Sequence, residues 1–142
     1  MSNVRRFTLS NLKKYTSYIV AVQAATKIGL GPVGSNRTWQ TKEDIPAKGP
    51  VITSIFAESS TSFRIAWKGL SDGNANGAII GYRVCYKLVE TSVNICNSVG
   101  NILHTTLFNL EKYTSYAVAV QAATKIGFGP LGAKVTKRTK ED

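Results

Sequence analysis

The sequence predicts an all-β sandwich. Several short segments alternate apolar and polar residues with a period of two, which places one face of a strand inside and one outside. Clusters of Gly, Asn, Ser and Pro separate them at roughly ten-residue intervals, the spacing of a chain that folds back on itself repeatedly. No segment sustains a helical period over three turns.

Taken in order, residues 51–56 form an outer strand. Phe63, Ile65 and Trp67 alternate with Ser62, Arg64, Ala66 and Lys68 in a second. The cluster Ser-Asp-Gly-Asn-Ala-Asn-Gly at 71–77 is a turn. Tyr82, Val84, Tyr86 and Leu88 then alternate with Arg83, Cys85 and Lys87. Turns are expected at 90–92 and at 97–101. Leu103, Thr105 and Leu107 give a weaker strand. Tyr116, Val118, Val120 and Ala122 alternate with Ala117, Ala119 and Gln121 in a strong one. A turn at 127–130 leads to a last outer strand at 131–139; with the strand that carries Cys96, these make seven.

Residues 12–44 return almost unchanged as residues 110–142, an offset of 98 positions. That is the size of a small domain and too long for a solenoid repeat, which runs about 20–50 residues. The expected organisation is a partial module at 1–44, holding only C-terminal strands, and a complete module at 45–142. Residues 41–50, Thr-Lys-Glu-Asp-Ile-Pro-Ala-Lys-Gly-Pro, read as the joint. Their two prolines stiffen the chain and discourage stray strand pairing. Thr-Lys-Glu-Asp recurs at 139–142, so a second joint is expected there. A half sandwich would leave an apolar sheet face and an open edge.

The 18 Lys and Arg against 8 Asp and Glu give a net charge of +10. A solvated surface accounts for such a balance; so does attraction to an acidic surface or a sulfated glycan. The charges are scattered, with one dense run at 134–140. No zinc-finger, helix-turn-helix or RNA-binding aromatic pattern accompanies them, so no nucleic-acid partner is expected. No stretch approaches the roughly 18 apolar residues of a membrane helix. The N-terminus lacks the apolar core of a signal peptide.

At this point the residues resemble the fibronectin type III family. The resemblance is carried by Trp67, by Gly81-Tyr82-Arg-Val84-Cys-Tyr86, by Leu110-x-x-x-Thr114-x-Tyr116-x-Val118-x-Val120, and by Gly127-Phe-Gly129. It covers about residues 46–142, and residues 1–44 look like the last three strands of a preceding module. Lys68-Gly69 and Lys112 stand where the family often has proline. The resemblance implies an immunoglobulin-like fold with a core of Trp67, Tyr82, Val84, Tyr86, Leu110, Tyr116 and Val118. Trp67 can fill the space between two sheets about 10 Å apart. Tyr116 can bury its ring while its hydroxyl caps backbone a few residues upstream, and Tyr18 can do the same in the partial module.

Candidate sites follow. Gly127-x-Gly-x-x-Gly132 and Gly29-x-Gly-x-x-Gly34 fit a dinucleotide-binding spacing, but strands rather than helices follow them, so they read as turns. Cys85 and Cys96 are the only cysteines. A hairpin symmetric about residues 90–91 would set them opposite each other, within reach of a disulfide. An extracellular module would bridge them and a cytosolic one would keep two thiols. Asn36-Arg-Thr38 is a glycosylation acceptor in a secreted protein. His104, the lone histidine, has no nucleophile placed beside it. No Arg-Gly-Asp triplet occurs. Binding is expected at the loops, through Asp72, Asn74, Asn76, Lys125 and Phe128, which would share one end. The alternatives are the faces bearing Arg64 and Lys68, or Arg83 and Lys87.

The expected function is a non-catalytic interaction and spacer module of a multidomain cell-surface adhesion or receptor protein. No cofactor or metal is expected, the partners are other proteins, and the parent is expected to be extracellular and membrane-anchored. Two competing readings remain. One is an intracellular, muscle-type structural array. The other is an accessory module of a receptor tyrosine phosphatase or other enzyme whose catalytic domain lies elsewhere.

Overall fold

The computed structural model describes residues 4–142, apart from the side chain of Asp72. The chain forms two compact units, Met1–Lys42 and Glu43–Asp142. The division falls inside the expected joint at 41–50, two residues before the module boundary expected between 44 and 45. Glu43 and Asp44 belong to the second unit because they are bonded into it: Ala78 N donates to Glu43 Oε1 and Asp44 N donates to Asn76 O, each at 2.8 Å.

The second unit holds two antiparallel sheets. In the first, β5 (Val51–Ser59) pairs with β6 (Ser62–Lys68), and β6 pairs with β9 (His104–Leu107). In the second, β8 (Ile95–Gly100) pairs with β7 (Gly81–Leu88), and β7 pairs with β10 (Ser115–Thr124). The far edge of β10 is shared: β12 (Val135–Arg138) covers its first half and β11 (Gly127–Phe128) its last two residues.

Alternation decides what faces inward. On β6, Phe63, Ile65 and Trp67 are buried while Arg64 and Lys68 are exposed. From the other sheet come Tyr82 and Val84 of β7, and Tyr116, Val118, Val120 and Ala122 of β10. Each large apolar side chain removed from water contributes about 1.5–3 kcal/mol. The aromatic rings are interleaved. Phe63 meets Tyr116 edge-on at 6.0 Å, and Trp67 lies 5.7 Å from Tyr82. The Trp67 Nε1–H is buried without a hydrogen-bond acceptor, so shape rather than a polar tether holds the indole. Tyr116 accepts the Glu111 N–H on its hydroxyl at 2.8 Å, with Leu110 buried beside it. A bond of this kind is worth about 1 kcal/mol net.

Three local expectations are corrected. Residues 97–100, taken as part of a turn, lie on β8. Its polar Asn97 and Ser98 sit on an edge strand with a solvated face, where they resemble turn residues. Residues Asp72–Ala75 of the expected turn make one helical turn, α1, too short to show a period. Cys85, placed by parity on the polar face, is buried along with Ala119 opposite it. The side chains of Gln121 and Cys96 lie over that stretch of sheet.

The first unit repeats the local structure of residues 110–142. β1 (Ser17–Val20) pairs with β4 (Arg37–Gln40), and β2 (Gln23–Thr26) with β3 (Gly29–Val33). Lys13 N donates to Tyr18 Oη at 2.9 Å, the counterpart of Glu111 and Tyr116. Thr41 Oγ1 donates to Lys13 O as Thr139 Oγ1 donates to Glu111 O. Asn11 and Tyr15 take positive φ angles of 62° and 48°, and Asn109 and Tyr113 take 59° and 46°. Burial does not repeat. Val22 is 76% exposed while its counterpart Val120 is fully buried.

Residues 43–50 lie along the second unit as a strap. Pro46 and Pro50 are buried. Gly129 and Gly132 exist to admit them: a Cβ on Gly129 would come 2.6 Å from Pro46 O, and one on Gly132 would collide with Pro50 O. The glycine spacing that superficially fits a nucleotide site thus serves backbone packing. The equivalent Gly31 has only Ala24 O nearby, at 3.6 Å. Gly129→Ala is expected to destabilise the second unit by about 1–3 kcal/mol through overpacking. Gly31→Ala should shift the chain's stability by less than about 0.5 kcal/mol. Urea unfolding of both variants checks the difference.

Candidate interaction surface

Of the residues expected to bind a partner, Asn74, Asn76 and Lys125 meet the strap, while Phe128 lies on β11. Asn74 O accepts the Ala47 N–H at 2.8 Å, and Asn74 Nδ2 donates to Ser71 Oγ at 2.9 Å. Asn76 Nδ2 donates to Ile45 O at 3.1 Å. Thr124 Oγ1 donates to Asp44 O at 2.8 Å. Lys125 pairs with Glu43 at 3.1 Å, and only 10% of the Glu43 side chain is exposed against 71% of Lys125. The Asp72 side chain, also expected here, lies outside the described residues.

Glu43 is the residue that sequence reasoning missed, because it reads as linker. Gly77 makes room for it: a Cβ there would collide with Glu43 Oε1. The Ala78 N–H, and then Lys125, hold its carboxyl below the ordinary value of 4.5. The signal available was the repeat of Thr-Lys-Glu-Asp at 139–142.

The second candidate is the outer face of the larger sheet. Directly opposed residues share a face. Arg83 opposes Gln121, Cys85 opposes Ala119, Lys87 opposes Ala117, and Ser115 opposes Arg138. The Arg83 guanidinium stacks 4.0 Å from the Phe128 ring centre. Its Nε and Nη2 donate to Gln121 Oε1 at 2.9 and 2.7 Å, and Gln121 Nε2 donates onward to Gly129 O at 2.9 Å. Stacking and a forked hydrogen bond together fix an otherwise mobile arginine. Cys85 and Cys96 oppose each other on β7 and β8 and are joined by a disulfide. The bridged Cys85 sulfur has no proton to donate; it rests 3.7 Å from Gln121 Oε1 as a contact. Arg138 stacks on Tyr113 at 4.7 Å.

None of β7, β8, β10, β11 and β12 contains an Asp or Glu. The face is therefore cationic and uncompensated within its own sheet. The smaller sheet differs, since Glu58 approaches Arg64 to 3.8 Å. His104 is exposed on β9, and Asn36 is exposed immediately before β4. Among the described residues no group of three His, Cys, Asp or Glu could hold a metal ion, and no helix is long and apolar enough to cross a membrane.

A group whose folded value is depressed stabilises the fold above its unfolded value and loses that contribution as pH falls through the folded one. Glu43→Gln is therefore expected to lower the urea midpoint of the second unit at pH 7, and the gap from the native chain should close as pH is taken below 4.5. Paired titrations at pH 7 and pH 3 check this; a gap equal at both would contradict it.

With this geometry in view, residues 50–138 match the family model of the fibronectin type III domain. The human cell adhesion molecule DSCAM (Homo sapiens) is 37% identical over 142 residues, covering 96% of this chain and 7% of that protein. Protein sidekick-2 of Mus musculus is 34% identical over 142 residues, covering 97% of this chain and 6% of that protein. The chain thus spans under a tenth of the length of these curated relatives. Domains d3–d4 of the rat CD45 extracellular region match with a TM-score of 0.72 at 18% identity, covering 98% of this chain and 72% of that one, which speaks to fold alone.

Proposed function

Since the chain belongs to the fibronectin type III family, we propose that it is a non-catalytic contact and spacer segment of a cell-surface adhesion protein. Residues 45–142, which include most of the strap, are its complete module, and residues 1–44 are the C-terminal part of another. The observation that carries the reading is the near full-length similarity to a short stretch of adhesion molecules.

The structure supports the extracellular setting through the Cys85–Cys96 disulfide, since such bonds persist in oxidising compartments and are rare in cytosol. This favours the adhesion reading over an intracellular elastic array. In the same setting Asn36, exposed in its Asn-Arg-Thr sequence, is a glycan acceptor. The module contributes a rigid double sheet and presents Arg83, Lys87 and Arg138 on one face. That face suits an acidic protein surface: the arginines supply planar, pre-oriented donors for carboxylates. A sulfated glycan shares the negative charge and is separated from a protein by the test.

Beads coated with the oxidised chain are expected to bind the surface of cells that carry adhesion proteins. Arg83→Glu combined with Lys87→Glu should reduce that binding at least about tenfold, since placing like charges against an acidic patch costs several kcal/mol. Binding that survives heparinase but not trypsin identifies a protein partner. Binding unchanged by the two substitutions would contradict the assignment of this face.

A further inference from the structure

We infer that residues 139–142 are a docking strap for a following module of this same type, with Glu141 as the side chain that module captures. The inference rests on reading the chain as part of a tandem array, and it names a partner within that reading: a second copy of the fold.

The template is Glu43. In the second unit it enters a receptor made of Asn76, Gly77 and Ala78 from one loop, Thr124 at the end of β10, and Lys125 just after it. The Ala78 N–H donates to one carboxylate oxygen at 2.8 Å, and Lys125 reaches the other at 3.1 Å. Gly77 supplies the space, because any Cβ there would meet the carboxylate. Backbone bonds fix the register: Asp44 N donates to Asn76 O, and Thr124 Oγ1 donates to Asp44 O. The receptor therefore takes an acidic side chain followed by an extended backbone.

Residues 139–142 repeat residues 41–44 letter for letter. The two neighbouring acids of the tail sit differently. Asp142 is tied back to its own unit by an ion pair with Lys112, and Ser60 Oγ donates to it at 3.5 Å. Tyr113 N donates to Lys140 O, and Thr139 is buried. Glu141, between these anchored residues, is exposed. The tail is thus held up to its end; both side-chain carboxylates are exposed, and Asp142 is the one paired within its own unit. Part of the receptor is repeated too: Thr26 and Lys27, both exposed, occupy in the first unit the places of Thr124 and Lys125. At the tail, Asp142 binds the unit behind and Glu141 is left to bind a unit ahead, which gives this joint a direction.

The test is a chain of residues 1–142 followed directly by a second copy of residues 45–142, so that Glu141 stands where Glu43 stands. Amide exchange is read at Ala78 in both copies. Glu141→Gln keeps the shape and removes the charge. It is expected to speed exchange at the second copy's Ala78 about tenfold, the effect of weakening one charge-assisted hydrogen bond, and to leave the first copy's Ala78 unchanged. Glu141→Asp, one methylene shorter, should give an intermediate rate. If both copies keep their strand amides protected and the second copy's Ala78 ignores both substitutions, the strap is refuted while the array reading stands. If joining the copies abolishes strand protection in either one, the array reading itself fails, and this inference with it.

Discussion

The second unit depends on one constraint: the inner face of β10 must be covered by a second sheet. Tyr116, Val118, Val120 and Ala122 are buried because Phe63, Ile65 and Trp67 of β6 lie across from them. The first unit supplies the comparison within the same chain. Tyr18, Val20, Val22 and Ala24 carry the same side chains in the same order, and residues 4–42 contain no equivalent of β6. The polar framework forms anyway, from the tyrosine hydroxyl that caps an amide five residues back to the threonine that closes the loop. Local hydrogen bonding therefore sets the backbone, and burial is an addition that requires the partner sheet.

Burial of the inner face leaves the outer face of the larger sheet available for recognition. Its order is imposed by short-range chemistry: a disulfide across β7 and β8, a stacked arginine, and a glutamine shared between Arg83 and the Gly129 carbonyl. The same Gln–Gly bond occurs in the first unit, from Gln23 to Gly31, where Leu30 replaces Phe128 and no ring is present for stacking. A repeated framework with exchanged surface residues lets one fold present different faces.

The inward positions of β6, β7 and β10 were legible because side-chain parity is a direct consequence of strand geometry. The fold class and the family followed from them. The start of the edge strand β8 was legible in the hairpin that sets Cys96 opposite Cys85, but its continuation was not, since Asn97 and Ser98 face solvent and carry turn-like chemistry. The burial of Cys85 and Ala119 was hidden for a related reason: it is produced by neighbours that parity does not describe. The strap was the largest omission. Residues 43–50 are polar and proline-rich, and composition alone makes such a segment a linker. Their role depends on Gly77, Gly129 and Gly132, which are distant in sequence and matter only for the side chains they lack.

The central claim, that nearly identical strands differ through the neighbouring strand and covering sheet that only one of them has, is tested most directly by hydrogen exchange along the native chain. Amides at 118–122 should be protected to the level of global unfolding, and those at 20–24 should exchange faster by orders of magnitude, since local opening there exposes no buried core. Equal, high protection in both segments of a monomer would contradict the account.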